Sequence, residues 1–260
     1  MVNNLFINGC SFLEIYDKKK CPTTAAHCLS EDFGINPISY ASAGRGNDRI
    51  VATTKLFFYD NPSLIKDTFA LIGWSHVVRK DYLTLYSKLK KSPKEGICRK
   101  ENKNQFLRNI KGKNLVDGVH GDWKTWKFSQ EVKRRPNGSI GLPDSFSIQK
   151  TLRLRYLEQV LSLQDFFKVN NIKYCMYNAL TNNYSSSGAE GLDRLADNVD
   201  KSRFFQFDAQ SHLQFVETSQ SSESQQELLT LSKTDNHPSS KGHRLWADKL
   251  NIFIRENNLI

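Results

Sequence analysis

Apolar runs alternate with amphipathic stretches along the first third of the chain. The run "TFALIGW" is apolar without alternation, which is typical of a strand covered on both faces of a parallel sheet. In chain order the predicted elements are the strand "NLFING", a helix over "TTAAHCLSEDF", the strand "PISYAS", a helix over "DRIVATTKLFFYD" and the strand "TFALIGW". Gly34 is expected to end the first helix and Asn47 to cap the second. This alternation predicts a parallel sheet with helices on its faces.

The alternation is interrupted in the middle of the chain and then returns. Residues 88–143 are polar and Lys-rich, so we expect an insertion with little regular structure. Two Ser- and Gln-rich stretches, "NNYSSSG" and "TSQSSESQQE", are expected to be loops. The elements predicted after the insertion are a long helix from "SFSIQK" to Asn170-Asn171, the strand "IKYCMYN", a helix within 189–199, the strand "RFFQF" and a last helix from near Ser239. Residues 1–260 are therefore predicted to form one α/β domain with a mainly parallel five-stranded sheet and one basic insertion.

The composition is that of a globular protein without a membrane-spanning segment. Of 260 residues 38% are hydrophobic, and the N-terminus lacks the features of a signal peptide. No apolar run approaches the roughly 20 residues that cross a bilayer. The five cysteines have irregular spacings, which favours reduced thiols in the cytoplasm over a disulfide framework. A zinc site built from Cys21, His27 and Cys28 would lack a fourth ligand, so no metal is expected.

The net charge of +10 belongs to one segment of the chain. Residues 79–135 hold 17 Lys or Arg against 6 Asp or Glu, whereas the rest of the chain holds 20 against 21. Trp123, Trp126 and Phe128 lie among these lysines, a mixture suited to stacking on sugars or bases and to pairing with acidic groups. The segment therefore predicts a glycan or polyanion surface, a docking site for a partner protein, or a solvated surface.

Three short motifs place reactive residues at the ends of predicted elements. They are "INGCSF" at residues 7–12, "SAGRGNDRI" at residues 42–50 and "DNHPSSKGHRLWADKL" from Asp235. Ser11 follows the first strand, and open α/β sheets bind ligands at the carboxyl ends of their strands. His237 precedes the last helix and can reach the same edge, so the two residues are a candidate nucleophile and base.

These motifs resemble those of the SGNH (GDSL-type) hydrolases, which carry a serine nucleophile on a flavodoxin-like three-layer α/β/α sandwich. The matching residues are Gly9-Cys10-Ser11, Gly44 or its neighbour Gly46, His237-Pro238 and Gly242-His243. In detail the chain is most similar to SGNH-type proteins encoded by tailed bacteriophages, in which "GCSF", "GxxNDRI" and "HPSxKGHxLWA" recur. The resemblance covers both ends of the chain. It implies a serine ester hydrolase with no metal or organic cofactor, located in a host cytoplasm or a virion.

The resemblance also implies a role for each residue of the site. Ser11 would attack the acyl carbon, His237 would take and return the proton, and Asp235 would orient His237. The N–H groups of Ser11 and Gly44 would bind the oxyanion, and such a donor is worth about 2.7 to 4 kcal/mol.

Two positions depart from the family pattern, so weaker catalysis than that of a full triad is expected. The family's aspartate stands three residues before its histidine, where this chain has Thr234, and Asp235 comes two before. A Ser11–His237 dyad assisted by a backbone carbonyl is therefore the alternative to a triad. Ser75 stands where the family has an asparagine whose side chain completes the oxyanion hole.

The short hydroxyl of Ser75 leaves the third oxyanion donor open, and His76 or Asn47 could take that role. We expect the residues that contact the substrate to come from the same region and from the insertion. The candidates are Asn47, His76, Arg79, Trp123 and Trp126.

The leading functional hypothesis is an SGNH-type esterase that removes a short acyl group, such as acetyl, from a carbohydrate or another polar ester. The insertion would cover the site and select the substrate. One alternative is a protein that keeps the fold but has lost efficient chemistry and serves in binding or assembly, for example in a virion with a partner protein. A second alternative is nucleic-acid or polyanion binding through the insertion. No membrane partner is expected.

Overall fold

The computed structural model describes residues 2–15, 21–85, 121–127, 145–184, 190–222, 228–232 and 234–260. Most of the predicted insertion, 88–143, therefore lies outside the described residues. The strands are β1 (Asn4–Gly9), β2 (Asn36–Ser39), β3 (Thr68–Trp74), β4 (Arg79–Leu85), β5 (Gly121–Lys127), β6 (Lys173–Asn178), β7 (Phe204–Phe205), β8 (Thr230–Ser232) and β9 (Asp235–Pro238). The helices are α1 (Ala25–Phe33), α2 (Asn47–Asp60), α3 (Ser145–Val169), α4 (Glu190–Ala196), α5 (His212–Ser222) and α6 (Ser240–Glu256), with a 3-10 helix at Pro62–Asp67.

Five strands form one sheet in the order β2-β1-β3-β6-β7, and every neighbouring pair is parallel. This order is the flavodoxin-like one, 2-1-3-4-5 when the sheet strands alone are counted, and it confirms the predicted fold class. The chain leaves β1 for β2 on one side and returns to β3 on the other. The carboxyl end of β1 is therefore the switch point of the sheet, where such folds bind ligands.

Two hydrophobic clusters cover the two faces of the sheet. Leu5 and Ile7 of β1 lie in a cluster with residues of α1 and α6, whereas Phe6 lies in the other cluster with residues of α2 and α3. Successive side chains of a strand point to opposite faces, so a strand between two helical layers is apolar at every position. This explains why the predicted strands do not alternate apolar and polar residues, and it confirms the α/β/α arrangement of three layers.

Three of the differences between the structure and the sequence predictions have a clear physical reason. Residues 121–127, placed in an insertion of little regular structure, form β5 and pair antiparallel with β4. Helix α2 begins at Asn47 with Gly46 as its N-cap, because the Asn47 side chain bonds to another segment instead. Helix α5 covers the start of a stretch predicted as a loop, since Phe215 and Val216 anchor an otherwise polar helix whose periodicity is weak.

Candidate active site

The turn after β1 brings Ser11 above the carboxyl edge of the sheet. Gly9 pairs with Gly73 of β3, and the Leu13 side chain folds back over both glycines. A Cβ on Gly9 would lie 2.7 Å from the carbonyl oxygen of Gly73, so a glycine is required for this approach. The Leu13 N–H donates to the Cys10 carbonyl at 3.0 Å and closes the turn. Cys10 points into the core, and Ser11 remains 8% exposed.

His237 lies within hydrogen-bond distance of Ser11. Its Nε2 is 2.9 Å from Ser11 Oγ, and its Nδ1 is 2.6 Å from Asp235 Oδ1. A carboxylate oxygen can only accept, so Nδ1 carries the imidazole proton and Nε2 accepts from the Ser11 hydroxyl. The Phe12 ring packs beside the imidazole with a centroid distance of 5.4 Å.

A short strand places Asp235 and His237 on the same side of the chain despite their two-residue spacing. Both belong to β9, which pairs antiparallel with β8, and residues i and i+2 of a strand share a face. Asp235 Oδ1 also accepts the backbone N–H of His237 at 3.1 Å. Thr234, three residues before His237, bonds instead to Ser232. The Nδ1 partner is thus a carboxylate rather than the backbone carbonyl of the dyad alternative.

Helix α6 follows this strand directly and holds its end. Ser239 caps the helix, and its hydroxyl accepts the N–H of Gly242 at 3.3 Å. The Ser239 N–H in turn donates to the Leu229 carbonyl at 2.8 Å. His237 is therefore fixed between a strand pair and a helix cap, which favours one orientation of its ring.

The loop before α2 places Gly44 next to the Ser11 turn. The Ser42 N–H donates to the Gly9 carbonyl at 3.2 Å, and the Glu14 carboxylate accepts the Ala43 N–H. Gly44 has φ of 81°, a conformation that favours glycine. Within the described residues, no hydrogen bond uses the backbone N–H of Ser11 or Gly44. Both groups remain donors for a ligand oxygen.

Gly46, the alternative to Gly44, has its N–H engaged elsewhere. It donates to Asp81 Oδ2 at 2.8 Å, and the same oxygen accepts the Arg49 N–H at 3.3 Å. A Cβ on Gly46 would lie 2.8 Å from the Arg79 carbonyl oxygen, because β4 packs closely on this loop. The Asp81 carboxylate, on β4, thereby accepts two backbone N–H groups at the start of α2. The N–H of Gly46 is used in this way, so Gly44 is the better oxyanion candidate.

Ser75 is fully buried, and asparagine side chains hold its backbone. Its N–H donates to Asn47 Oδ1 at 2.8 Å, and its carbonyl accepts from Asn47 Nδ2 at 3.3 Å and from Asn183 Nδ2 at 2.7 Å. The Asn47 amide is consequently used within the protein rather than presented to a ligand. The Ser75 hydroxyl accepts from Arg79 Nη1 at 3.1 Å.

His76 and Arg79 lie beside this segment. His76 Nδ1 accepts the Val78 N–H at 3.1 Å, which leaves the proton on Nε2. Burial, together with the charge of Arg79, lowers the pKa of His76, so its imidazole is neutral at neutral pH. Trp123 and Trp126 belong to β5, opposite Leu83 and Lys80 in the register, but their side chains lie outside the described part of the chain.

His243 and Cys10, which lie near the site, do not add a second reactive group. Burial lowers the pKa of His243 to about 3, and its ring lies 5.2 Å from that of His212, so His243 is a neutral core residue. Burial raises the pKa of the Cys10 thiol, which disfavours a thiolate nucleophile. Among the described residues, no group of three or more His, Cys, Asp or Glu could hold a metal ion. The same part of the chain contains no helix long and apolar enough to cross a membrane.

Asn183 and Asp81 are the positions that sequence reasoning missed. Asn183 accepts the Val77 N–H at 3.2 Å and donates to Ser75, so it supports the segment after β3. The run "YNALTNN" places it at the carboxyl end of β6, which is the available sequence signal. Asp81 carries no local signal, because its partners Gly46 and Arg49 lie 35 and 32 residues away in sequence.

Comparisons with known proteins give a partial match. A model described as a family of unknown function (DUF6071) matches residues 144–260. No curated protein matches the chain.

Several solved structures match the chain at low sequence identity. A protein assigned to the G-D-S-L lipolytic family from Desulfitobacterium hafniense DCB-2 is 10% identical, with 96% of this chain and 99% of that chain covered and a TM-score of 0.43. The psychrotrophic esterase EstA from Pseudoalteromonas sp. is 11% identical, with 98% and 97% covered and a TM-score of 0.43. A GDSL-like lipase from Bacteroides thetaiotaomicron VPI-5482 is 10% identical, with 98% and 88% covered and a TM-score of 0.41.

Proposed function

We propose that the protein is a serine hydrolase of SGNH type that acts on carboxylic esters. The observation that carries this proposal is the chain of hydrogen bonds from Ser11 Oγ through the His237 imidazole to Asp235 Oδ1. It lies at the switch point of the sheet, where open α/β folds bind ligands. A serine, a base and a group that orients the base are the components of acyl transfer by a hydroxyl nucleophile.

The first chemical step follows from the protonation states of these groups. Ser11 Oγ forms a bond to the acyl carbon while its proton moves to His237 Nε2, and the carbonyl π electrons move to the oxygen. His237 then carries a positive charge, which the Asp235 carboxylate stabilises at Nδ1. When the tetrahedral intermediate collapses, the imidazolium gives its proton to the leaving alkoxide. Water, activated by the same imidazole, then releases the acyl group from Ser11.

The developing oxyanion would be bound by the two available backbone donors. The N–H groups of Ser11 and Gly44 come from turns that are tied together through the Ser42–Gly9 hydrogen bond and the Glu14–Ala43 contact. Donors held in place before the reaction stabilise the transition state without reorganisation. We infer that the acyl group is short, acetyl-like, and that the leaving group is a carbohydrate or another polar alcohol. Ser11 is 8% exposed, and Phe12 packs beside His237, which limits the room for a long acyl chain.

A fluorophosphonate probe tests the proposal directly. Wild-type protein should be labelled once, at Ser11, and should hydrolyse 4-nitrophenyl acetate. Ser11→Ala should abolish both, whereas Ser162→Ala, which removes an exposed hydroxyl from α3, should change neither. Absence of labelling and of turnover in the folded wild-type protein would contradict the proposal and favour a binding or assembly role.

The finer biological setting remains a set of predictions from the sequence. A bacteriophage origin, a partner in a virion and binding of nucleic acid depend on motif resemblance or on residues 88–143, most of which lie outside the described part. An activity screen over acetylated glycans and simple esters is the experiment that would narrow the substrate.

A further inference from the structure

Arg79 presents a positive charge at the carboxyl edge of the sheet without a carboxylate partner among the described residues. Its Nη1 donates to the Ser75 hydroxyl at 3.1 Å, and no described carboxylate lies within ion-pair distance of its guanidinium. A guanidinium has five N–H donors, so this single bond leaves several for a ligand. The side chain is only partly buried and is therefore accessible.

The group that anchors this guanidinium is rigid. Ser75 is buried, and its N–H and carbonyl are held by the Asn47 and Asn183 side chains. The backbone of Arg79 is fixed as well, because its N–H donates to the His76 carbonyl at 3.1 Å and its own carbonyl packs against Gly46. A charged donor held at both its backbone and its tip loses little entropy when it binds a ligand.

The position of the anchor brings Arg79 close to the candidate nucleophile. Ser75 directly follows β3, which lies beside β1 with Gly73 opposite Gly9. Burial raises the pKa of the Cys10 thiol, and the charge of Arg79 partly offsets that rise. The field of the guanidinium thus reaches the residue that precedes Ser11.

We propose that Arg79 binds an anionic group of the substrate, a carboxylate or a phosphate, and makes the site selective for esters that carry negative charge near the scissile acyl group. Guanidinium is the side-chain cation best suited to these planar or tetrahedral anions. The segment 79–135 holds 17 Lys or Arg against 6 Asp or Glu, and its net positive charge attracts anionic ligands as well. This inference rests on the proposed hydrolase function.

A matched set of aryl acetates tests the selectivity. The neutral member is 4-acetoxybenzamide, and the anionic members are 4-acetoxybenzoate and 4-acetoxyphenyl phosphate, which distinguish a carboxylate from a phosphate preference. Arg79→Gln should lower kcat/KM for the preferred anionic ester about 10- to 100-fold more than for the neutral one. Arg79→Lys should keep part of the preference, because it retains the charge without the planar fork. Arg194→Gln, which removes an exposed arginine from α4, should not change the ratio.

If Arg79→Gln lowers kcat/KM equally for neutral and anionic esters, so that the ratio of the two values is unchanged, the proposal is overturned while the hydrolase function stands. Calorimetry of the Ser11→Ala protein separates the two ideas. Binding of 4-hydroxybenzoate or inorganic phosphate that disappears in Ser11→Ala/Arg79→Gln supports the anion site even if the wild type hydrolyses no ester. Failure of Ser11→Ala to bind either anion overturns it. The thermal midpoint of each variant reports whether it is folded. If Arg79→Gln does not fold, Arg79→Lys is compared with the wild type instead.

Discussion

Replacing Asp235 by asparagine should separate the charge of the carboxylate from its hydrogen-bonding role. Asp235 Oδ1 accepts two hydrogen bonds from His237, one from the backbone N–H at 3.1 Å and one from the ring Nδ1–H at 2.6 Å. An asparagine Oδ1 can accept the same two bonds, so the imidazole keeps its tautomer and its orientation toward Ser11. What the variant loses is the attraction between the carboxylate and the imidazolium that forms when His237 takes the proton.

The size of this loss follows from the exposure of the pair. Opposite unit charges about 4 Å apart attract by about 1 kcal/mol in water and about 4 kcal/mol at an effective dielectric constant of about 20. The His237 and Asp235 side chains are 35% and 43% exposed, so an intermediate value applies. About 2 to 3 kcal/mol corresponds to a loss in kcat of about 30- to 160-fold. A fully buried triad would lose more, which is why we expect only moderate dependence on this carboxylate.

The assay is turnover of 4-nitrophenyl acetate together with the rate of fluorophosphonate labelling. Asp235→Asn should slow both by a similar factor, with KM little changed. Asp248→Asn, an exposed carboxylate on α6 that pairs with Arg244, serves as the matched control and should behave as wild type. The reasoning would be refuted if Asp235→Asn kept full activity, or if its activity fell to that of Ser11→Ala.

Two further predictions concern the core around the site. Gly9→Ala places a Cβ 2.7 Å from the Gly73 carbonyl oxygen, so it should slow labelling of Ser11 and lower the free energy of unfolding by about 1 to 3 kcal/mol. Gly34→Ala, with φ of 64° and open space, should cost about 1 to 2 kcal/mol without slowing labelling, and equal labelling rates in the two variants would contradict this. Burial lowers the pKa of His243 to about 3 from 6.5. As the pH falls, the His243 imidazole is therefore protonated in the unfolded chain before it is protonated in the folded protein. In urea denaturation, the free energy of unfolding should fall by about 2 kcal/mol on account of His243 when the pH is lowered from 7.5 to 5. His243→Phe should lower that loss, and an unchanged pH dependence would argue against the assignment.

The elements that form the sheet were predictable because their signals are local. A buried strand needs an apolar run and a helix needs a period of 3.6, and both patterns are present in β1, β3 and α6 without reference to distant residues. The same locality explains the errors. Helix α5 has few apolar residues, and β5 depends on pairing with β4 across a long stretch of chain. Neither α5 nor β5 therefore has a local sequence pattern strong enough to predict it.

The sequence by itself determined that Ser11 follows the first strand and that His237 precedes the last helix, because chain order and apolar periodicity are properties of short segments. Only the tertiary structure decided which polar groups remain available for chemistry. The N–H of Gly46 is taken by Asp81, 35 residues away. The amide of Asn47 is taken by the Ser75 backbone, 28 residues away. A hydrogen bond uses up a donor regardless of the sequence distance to its acceptor, so the choice among candidate donors is settled by packing.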